Sequence, residues 1–169
     1  MKLTILAAAS LLLASLLPPT SNALPQTTDT EIQALLMAQT LLEEKPFDAK
    51  ARDVRAAAMR WIIDTDKVSV TICGNLFDDL DDNYVHASDI VVQYAIGMAA
   101  FKLTKPARVA DESAAQLAGI ESALTSYRAM VKERPGVKTT FLESLLAKQA
   151  AGELADFVKK NNCVKLETA

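Results

Sequence analysis

The chain has 169 residues, half of them hydrophobic, and its 18 basic and 21 acidic side chains leave a net charge of −3. A mildly acidic chain with no basic cluster is a poor match for nucleic acid, where neutralising phosphate dominates affinity. One histidine and two cysteines are too few for a structural zinc site, and five glycines at least 16 residues apart make no phosphate-cradling loop.

The first segment in chain order reads as an export signal. Lys2 precedes an apolar run over residues 3–17, then come Pro18, Pro19 and the small residues Ser21 and Ala23, placing a cleavage point between Ala23 and Leu24. That run of 15 residues is short against the roughly 20 that span a bilayer, and no cysteine follows it to carry a lipid. Residues 1–23 therefore read as a cleaved signal peptide, with no stable membrane insertion afterwards, and residues 24–169 have the size of a single domain. An exported chain meets an oxidising compartment, periplasmic or extracellular, where Cys73 and Cys163 have only each other as intramolecular partners. Bridging them is worth roughly 4 to 5 kcal/mol in the chain-entropy account. Two separate buried thiols are the alternative, because spacing does not show that the sulfurs meet.

Thr28 and Glu31 form a capping box that opens a first helix, with Ile32, Leu35, Leu36, Gln39 and Leu42 at helical spacing until Pro46 disfavours helical geometry at Lys45. Asp48 is placed to cap a second helix whose apolar stripe is Ala51, Val54, Ala58, Trp61 and Ile62; the tight turn between the two predicts an antiparallel hairpin. "KVSVTI" comes next, alternating and rich in β-branched residues in the manner of a strand. Over a longer window Val70, Cys73, Phe77 and Leu80 recur at helical steps, with Ile72 and Leu76 broadening the face, so the expectation is a helix over residues 67–81, weakened by Gly74.

"SDIVVQYAIGMAAFKL" is apolar nearly all round, which predicts a helix enclosed by others at the centre of the domain, with Gly97 and Ala100 as a flat patch for a close neighbour. A connection containing Pro106 leads to Asp111, the expected cap of a long helix that runs to Arg134 on a seam of Leu117, Ile120, Leu124, Tyr127 and Val131. Thr140 and Glu143 form a second capping box, opening a helix that buries Leu142, Leu145 and Leu146. Gly152 interrupts it, and "ELADFVKKNNC" makes a last short helix that delivers Cys163. The expected fold class is all-α: six to seven antiparallel helices arranged as successive hairpins, in a compact bundle or a short right-handed array.

At Ala123, Tyr127, Met130 and Pro135 the chain resembles the second helix of a tetratricopeptide repeat, with Met130 where that pattern has a small residue. Ala107, Ala110, Asp111 and Ala114 stand where the bulky and glycine positions of the first helix belong, so the resemblance spans about half of one repeat. It implies helical hairpins and leaves both architectures open.

The stretch "VTICGNLFDDLDDNYVH" gathers Cys73, four aspartates and His86. Asp79, Asp81 and Asn83 match the first, third and fifth places of an EF-hand loop, but Tyr84 stands where glycine makes the turn and Ile90 where a bidentate glutamate belongs. Aspartates at the C-terminus of the predicted helix oppose its dipole, so they call for a counterpart, either Arg52, Arg55 or Arg60 within the chain or a basic partner. Any Ser-His-Asp or Cys-His arrangement would need His86, which reads as a surface or capping residue. The functional expectation is an exported, non-catalytic binding or scaffold protein of the inhibitor, immunity or envelope-accessory type. It has no catalytic residue, cofactor or metal, and it engages an unidentified protein partner through Asp78, Asp79, Asp81, Asp82 and Tyr84. The alternative is an extracytoplasmic protein that binds a small ligand or calcium.

Overall fold

Six α-helices form among the described residues: α1 (Thr30–Glu44), α2 (Ala51–Asp64), α3 (Ala87–Thr104), α4 (Glu112–Glu133), α5 (Thr140–Ala151) and α6 (Leu154–Asn161). The structure is a computed structural model that describes residues 30–161 and residue 163. The expected signal peptide and the capping box at Thr28 lie outside those residues.

Consecutive helices pair as hairpins, α1 with α2, α3 with α4 and α5 with α6, while α1 also lies across both α3 and α4. That last contact closes the first two hairpins into a bundle. Local chemistry explains most of the boundaries. Pro46 is buried in the α1–α2 turn, and Asp48 shapes that turn without capping α2: its Oδ1 accepts the Lys50 amide at 2.8 Å, and Lys50 occupies the cap position with no side-chain bond. Asp111 does cap α4, accepting the Ala114 amide at 3.0 Å. The Arg108 side chain first, and that amide second, hold the Asp111 carboxyl below the usual range. Gly152, at φ 76°, ends α5 in a Schellman motif, the Glu153 amide reaching Lys148 O at 2.8 Å and the Gly152 amide reaching Gln149 O at 3.2 Å.

Two further expectations need correction. Residues 67–81 are not an α-helix; Thr65 and Cys73 are extended, and a single 3₁₀ turn, Gly74–Phe77, stands in that stretch. Val68, Val70, Thr71 and Ile72 lose side-chain freedom in a helix, and burial alternates instead: Val68 buried, Ser69 exposed, Val70 half-buried, Thr71 exposed. The second capping box does not form either. Thr140 is already the first residue of α5, Thr139 holds the cap position without a side-chain bond, and Glu143 accepts from the Tyr127 hydroxyl.

Burial divides into two clusters that share α3. Ile90, Tyr94 and Met98 face α4, α5, α6 and the 73–80 segment, while Ile96 and Ala99 face Leu35, Leu42, Ala58, Ile62 and Val68. Residues 93–100 are all buried, as an apolar-all-round helix requires. The close approach expected at Gly97 is present, with Gly119 of α4 as its unforeseen counterpart: a Cβ on Gly97 would lie 2.5 Å from Ser122 Cβ, and one on Gly119 would lie 2.7 Å from Tyr94 O.

Candidate functional site

The irregular segment between α2 and α3 is held from inside and charged outside. Val68, Cys73, Leu76 and Leu80 are its buried anchors. The sulfurs of Cys73 and Cys163 lie at bonding distance, 2.11 Å, with Cα atoms 5.4 Å apart, so the segment is tied to the chain just beyond α6. Lys102, buried on α3, donates to Ser69 O at 2.8 Å and pairs with Glu112. Sequence reasoning missed this lysine because nothing local distinguishes it from a helix-end surface residue.

Asp78, Asp79, Asp81 and Asp82 are all exposed on this segment. The α-helix whose dipole they were expected to oppose does not form; only the single 3₁₀ turn Gly74–Phe77 ends there, at Asp78. Asp81 Oδ1 accepts the Asn83 amide at 2.8 Å and the Asn83 side chain at 3.3 Å, spending one of its oxygens on the turn itself. The would-be EF-hand loop is broken at its end: α3 begins at Ala87, and Ile90 is wholly buried. Among the described residues no group of three or more His, Cys, Asp or Glu side chains is placed to hold a metal ion.

The internal counterions foreseen for these acids go elsewhere. Arg55 pairs with Asp89 at 3.3 Å and donates to Pro46 O at 2.9 Å, and neither Arg52 nor Arg60 pairs with the corner. Tyr84, expected among the partner contacts, is not freely exposed. It is half-buried against the main core, and burial first, the Asp89 charge second, push its hydroxyl up to about 12. What stands out beside the aspartates is Val85, 83% exposed. A shallow hollow of about 440 Å³ runs from Asp79 and Asp81 past Tyr84 and Val85 to Lys138 and Phe141.

His86 occupies the cap position of α3, but its ring turns to Asp89, Nδ1 to Oδ2 at 3.0 Å. Phe47 stacks at a tilt 5.2 Å away, and the Arg134 guanidinium lies 3.8 Å above the Phe47 ring. Arg55, held low by burial and only partly restored by Asp89, completes a cluster that ties the α1–α2 turn to the start of α3 and the end of α4. A His–Asp pair can hold and orient a proton, yet no serine, threonine or cysteine is in hydrogen-bond contact with it among the described residues.

Two further features escaped the sequence. A polar seam runs between α1, α3 and α4: Gln93 donates to Ser122 at 2.8 Å, Ser122 to Glu43 at 2.5 Å, and Gln39 to Glu43 at 2.8 Å. Its signal was the small-residue spacing of Gly119, Ser122 and Ser126, which lets α1 approach α4. An apolar groove of about 290 Å³ lies between α1 and α2, floored by Ala34, Leu35, Ala38, Val54 and Ala58 and closed by Trp61, whose Nε1 reaches Glu31 at 3.3 Å. No family model matches the chain, and neither a characterised protein nor a solved structure matches it significantly.

Proposed function

We propose that this chain is an exported, non-catalytic binding protein that engages a basic protein partner through its acidic corner. The observation that carries the reading is that Asp78, Asp79, Asp81 and Asp82 are exposed on a tethered segment and have no ion pair among the described residues. Stability gains nothing from such a cluster, whereas association does: acidic charge raises the encounter rate and selects against acidic partners. Exposed Val85 supplies an apolar contact beside the charge. Export is supported by the N-terminal pattern and by the cysteine pair at bonding distance. The partner contacts run through the aspartates and Val85, with half-buried Tyr84 forming the wall behind them.

The test is affinity capture from the envelope fraction of the producing cells, with the four aspartates intact and with all four replaced by asparagine. A partner that elutes with salt from the native chain and is absent from the variant supports the reading. Equal capture by both overturns it.

The apolar groove beside Trp61 favours a second reading, a small apolar ligand held between α1 and α2. Any ligand or partner that prefers the folded state raises the melting temperature, so the discriminating signal is Trp61 fluorescence, which a ligand in this groove changes and a partner bound only at the acidic corner does not.

A further inference from the structure

Residues 68–72, whose β-branched side chains defeat the expected helix, run along the surface with no partner strand among the described residues. The Ser69 carbonyl accepts from buried Lys102 at 2.8 Å, which marks the edge of the segment that faces α3. The flanking residues Thr65 and Cys73 are extended, and in extended backbone successive residues direct their amide and carbonyl groups to opposite edges. Extended geometry carried through from Thr65 to Cys73 assigns the groups of Val68, Val70 and Ile72 to the other edge, and none of them is hydrogen-bonded within the described residues. Beside the segment is a groove of about 310 Å³ lined by Met59, Ile62, Ile63, Val68, Val70 and Ile72. Ile63 is 74% exposed and Ile72 44%. The flanks are acidic: Asp64 and Asp66 precede the segment, Asp78 and Asp79 follow it, all four exposed. Lys67, the one nearby base in the segment, is taken by Glu31 at 2.7 Å.

We propose that this edge docks an extended peptide segment of a partner protein, with alternating apolar residues and lysine or arginine at its ends, which adds to residues 68–72 as a β-strand. Each observation selects one property of that occupant. The unpaired amides and carbonyls require a backbone to pair with. The groove takes alternate side chains, and the acidic flanks favour basic ends. A second copy of this chain does not meet the requirement. Antiparallel pairing of two copies sets Asp64 and Asp66 of one toward Asp78 and Asp79 of the other, and parallel pairing sets like ends together, so both bring acid onto acid. The inference shares Asp78 and Asp79 with the acidic-corner reading but rests on the backbone of residues 68–72, which that reading does not use.

The experiment titrates ¹⁵N-labelled, oxidised protein with a short lysine-ended peptide of alternating valine and threonine. Two further peptides carry N-methyl groups on every second residue, one in each register. The expected result is that the amides of Val68, Val70 and Ile72 shift and become protected from exchange. One methylated peptide should bind at least about tenfold more weakly while the other retains affinity, since only one edge of the added strand pairs. Ile63→Asp and Ile72→Asp, at exposed positions that leave the fold in place, should each weaken the parent peptide. No shift at the highest soluble peptide concentration overturns the proposal, as does equal binding by both methylated peptides. A peptide-free dimer that protects the same amides overturns it as well. With the four corner aspartates changed to asparagine, the valine amide shifts persist at higher peptide concentration, because backbone pairing remains while Asp78 and Asp79 no longer attract the basic ends, so the two readings fail separately.

Discussion

The Tyr127 hydroxyl donates to the Glu143 carboxylate at 2.9 Å and accepts the Thr139 amide at 3.0 Å. One phenol on α4 thus does what a capping box does within a single helix, satisfying an open amide at the start of α5 and holding the acid beside it. Tyr127 is fully buried. Removing its oxygen by Tyr127→Phe leaves both partners short of a bond without opening a cavity. The expected loss is about 1 to 2 kcal/mol in urea unfolding. If instead the midpoint is unchanged, the α4–α5 junction does not depend on this bridge.

Alkaline stability follows from the three tyrosines. Burial pushes the hydroxyls of Tyr84 and Tyr94 up to about 12 and raises that of Tyr127 as well, against an ordinary value of 10.0. A group whose folded value exceeds its unfolded one contributes fully below the unfolded value and loses that contribution as pH rises through the folded value. Stability should be flat up to about pH 10 and fall between about 10 and 12. Ultraviolet titration should show tyrosinate appearing together with the loss of helical circular dichroism. Tyrosinate forming near pH 10 in a chain that stays helical would contradict the buried placement of these rings.

Gly119 marks the tightest point of the α3–α4 crossing. A Cβ there would lie 2.6 Å from Tyr94 Cδ2, 2.7 Å from Tyr94 O and 2.8 Å from Met98 Cγ. The backbone oxygen cannot rotate away, so the roughly 1 kcal/mol that alanine gains over glycine in a helix is outweighed. Gly119→Ala should destabilise by about 1 to 3 kcal/mol net. Gly74→Ala, with nothing within 4 Å, is the matched control. Equal melting temperatures for the two variants would show that the crossing has room to spare.

The Cys73–Cys163 pair spans 90 residues of sequence. Replacing it by Cys73→Ala with Cys163→Ser should lower stability by about 4 to 5 kcal/mol in the chain-entropy account. Denaturant unfolding of the oxidised chain and the variant measures the difference. A loss below about 1 kcal/mol would mean that the unfolded chain already keeps these regions close.

The helices were legible because their causes are local. Pro46, the Asp111 cap, Gly152 and the apolar spacing of α1, α2, α3 and α4 act within a turn or two of the chain, so reading the residues in order was enough. The cysteine pairing was legible for a different reason, since two thiols have one partner each. Residues 67–81 carry two conflicting local signals: β-branched alternation against a helical recurrence of Val70, Cys73, Phe77 and Leu80. Neither outweighs the other in isolation. Burial of Val68 and Cys73, and the grip of Lys102 on Ser69, settle the conflict from across the bundle.

The candidate site divides along the same line. Its acids could be named from the sequence, because charge is a property of residues. Their lack of internal counterions could not, because it depends on Arg55 meeting Asp89, a neighbour in space and not in sequence. The chain by itself determined an all-helical body with an acidic bend, through propensities and spacing that act over a few residues. Only tertiary packing decided that residues 67–81 are not an α-helix, that Tyr84 turns inward and that a tyrosine of α4 caps α5, since each depends on which distant groups share a desolvated neighbourhood.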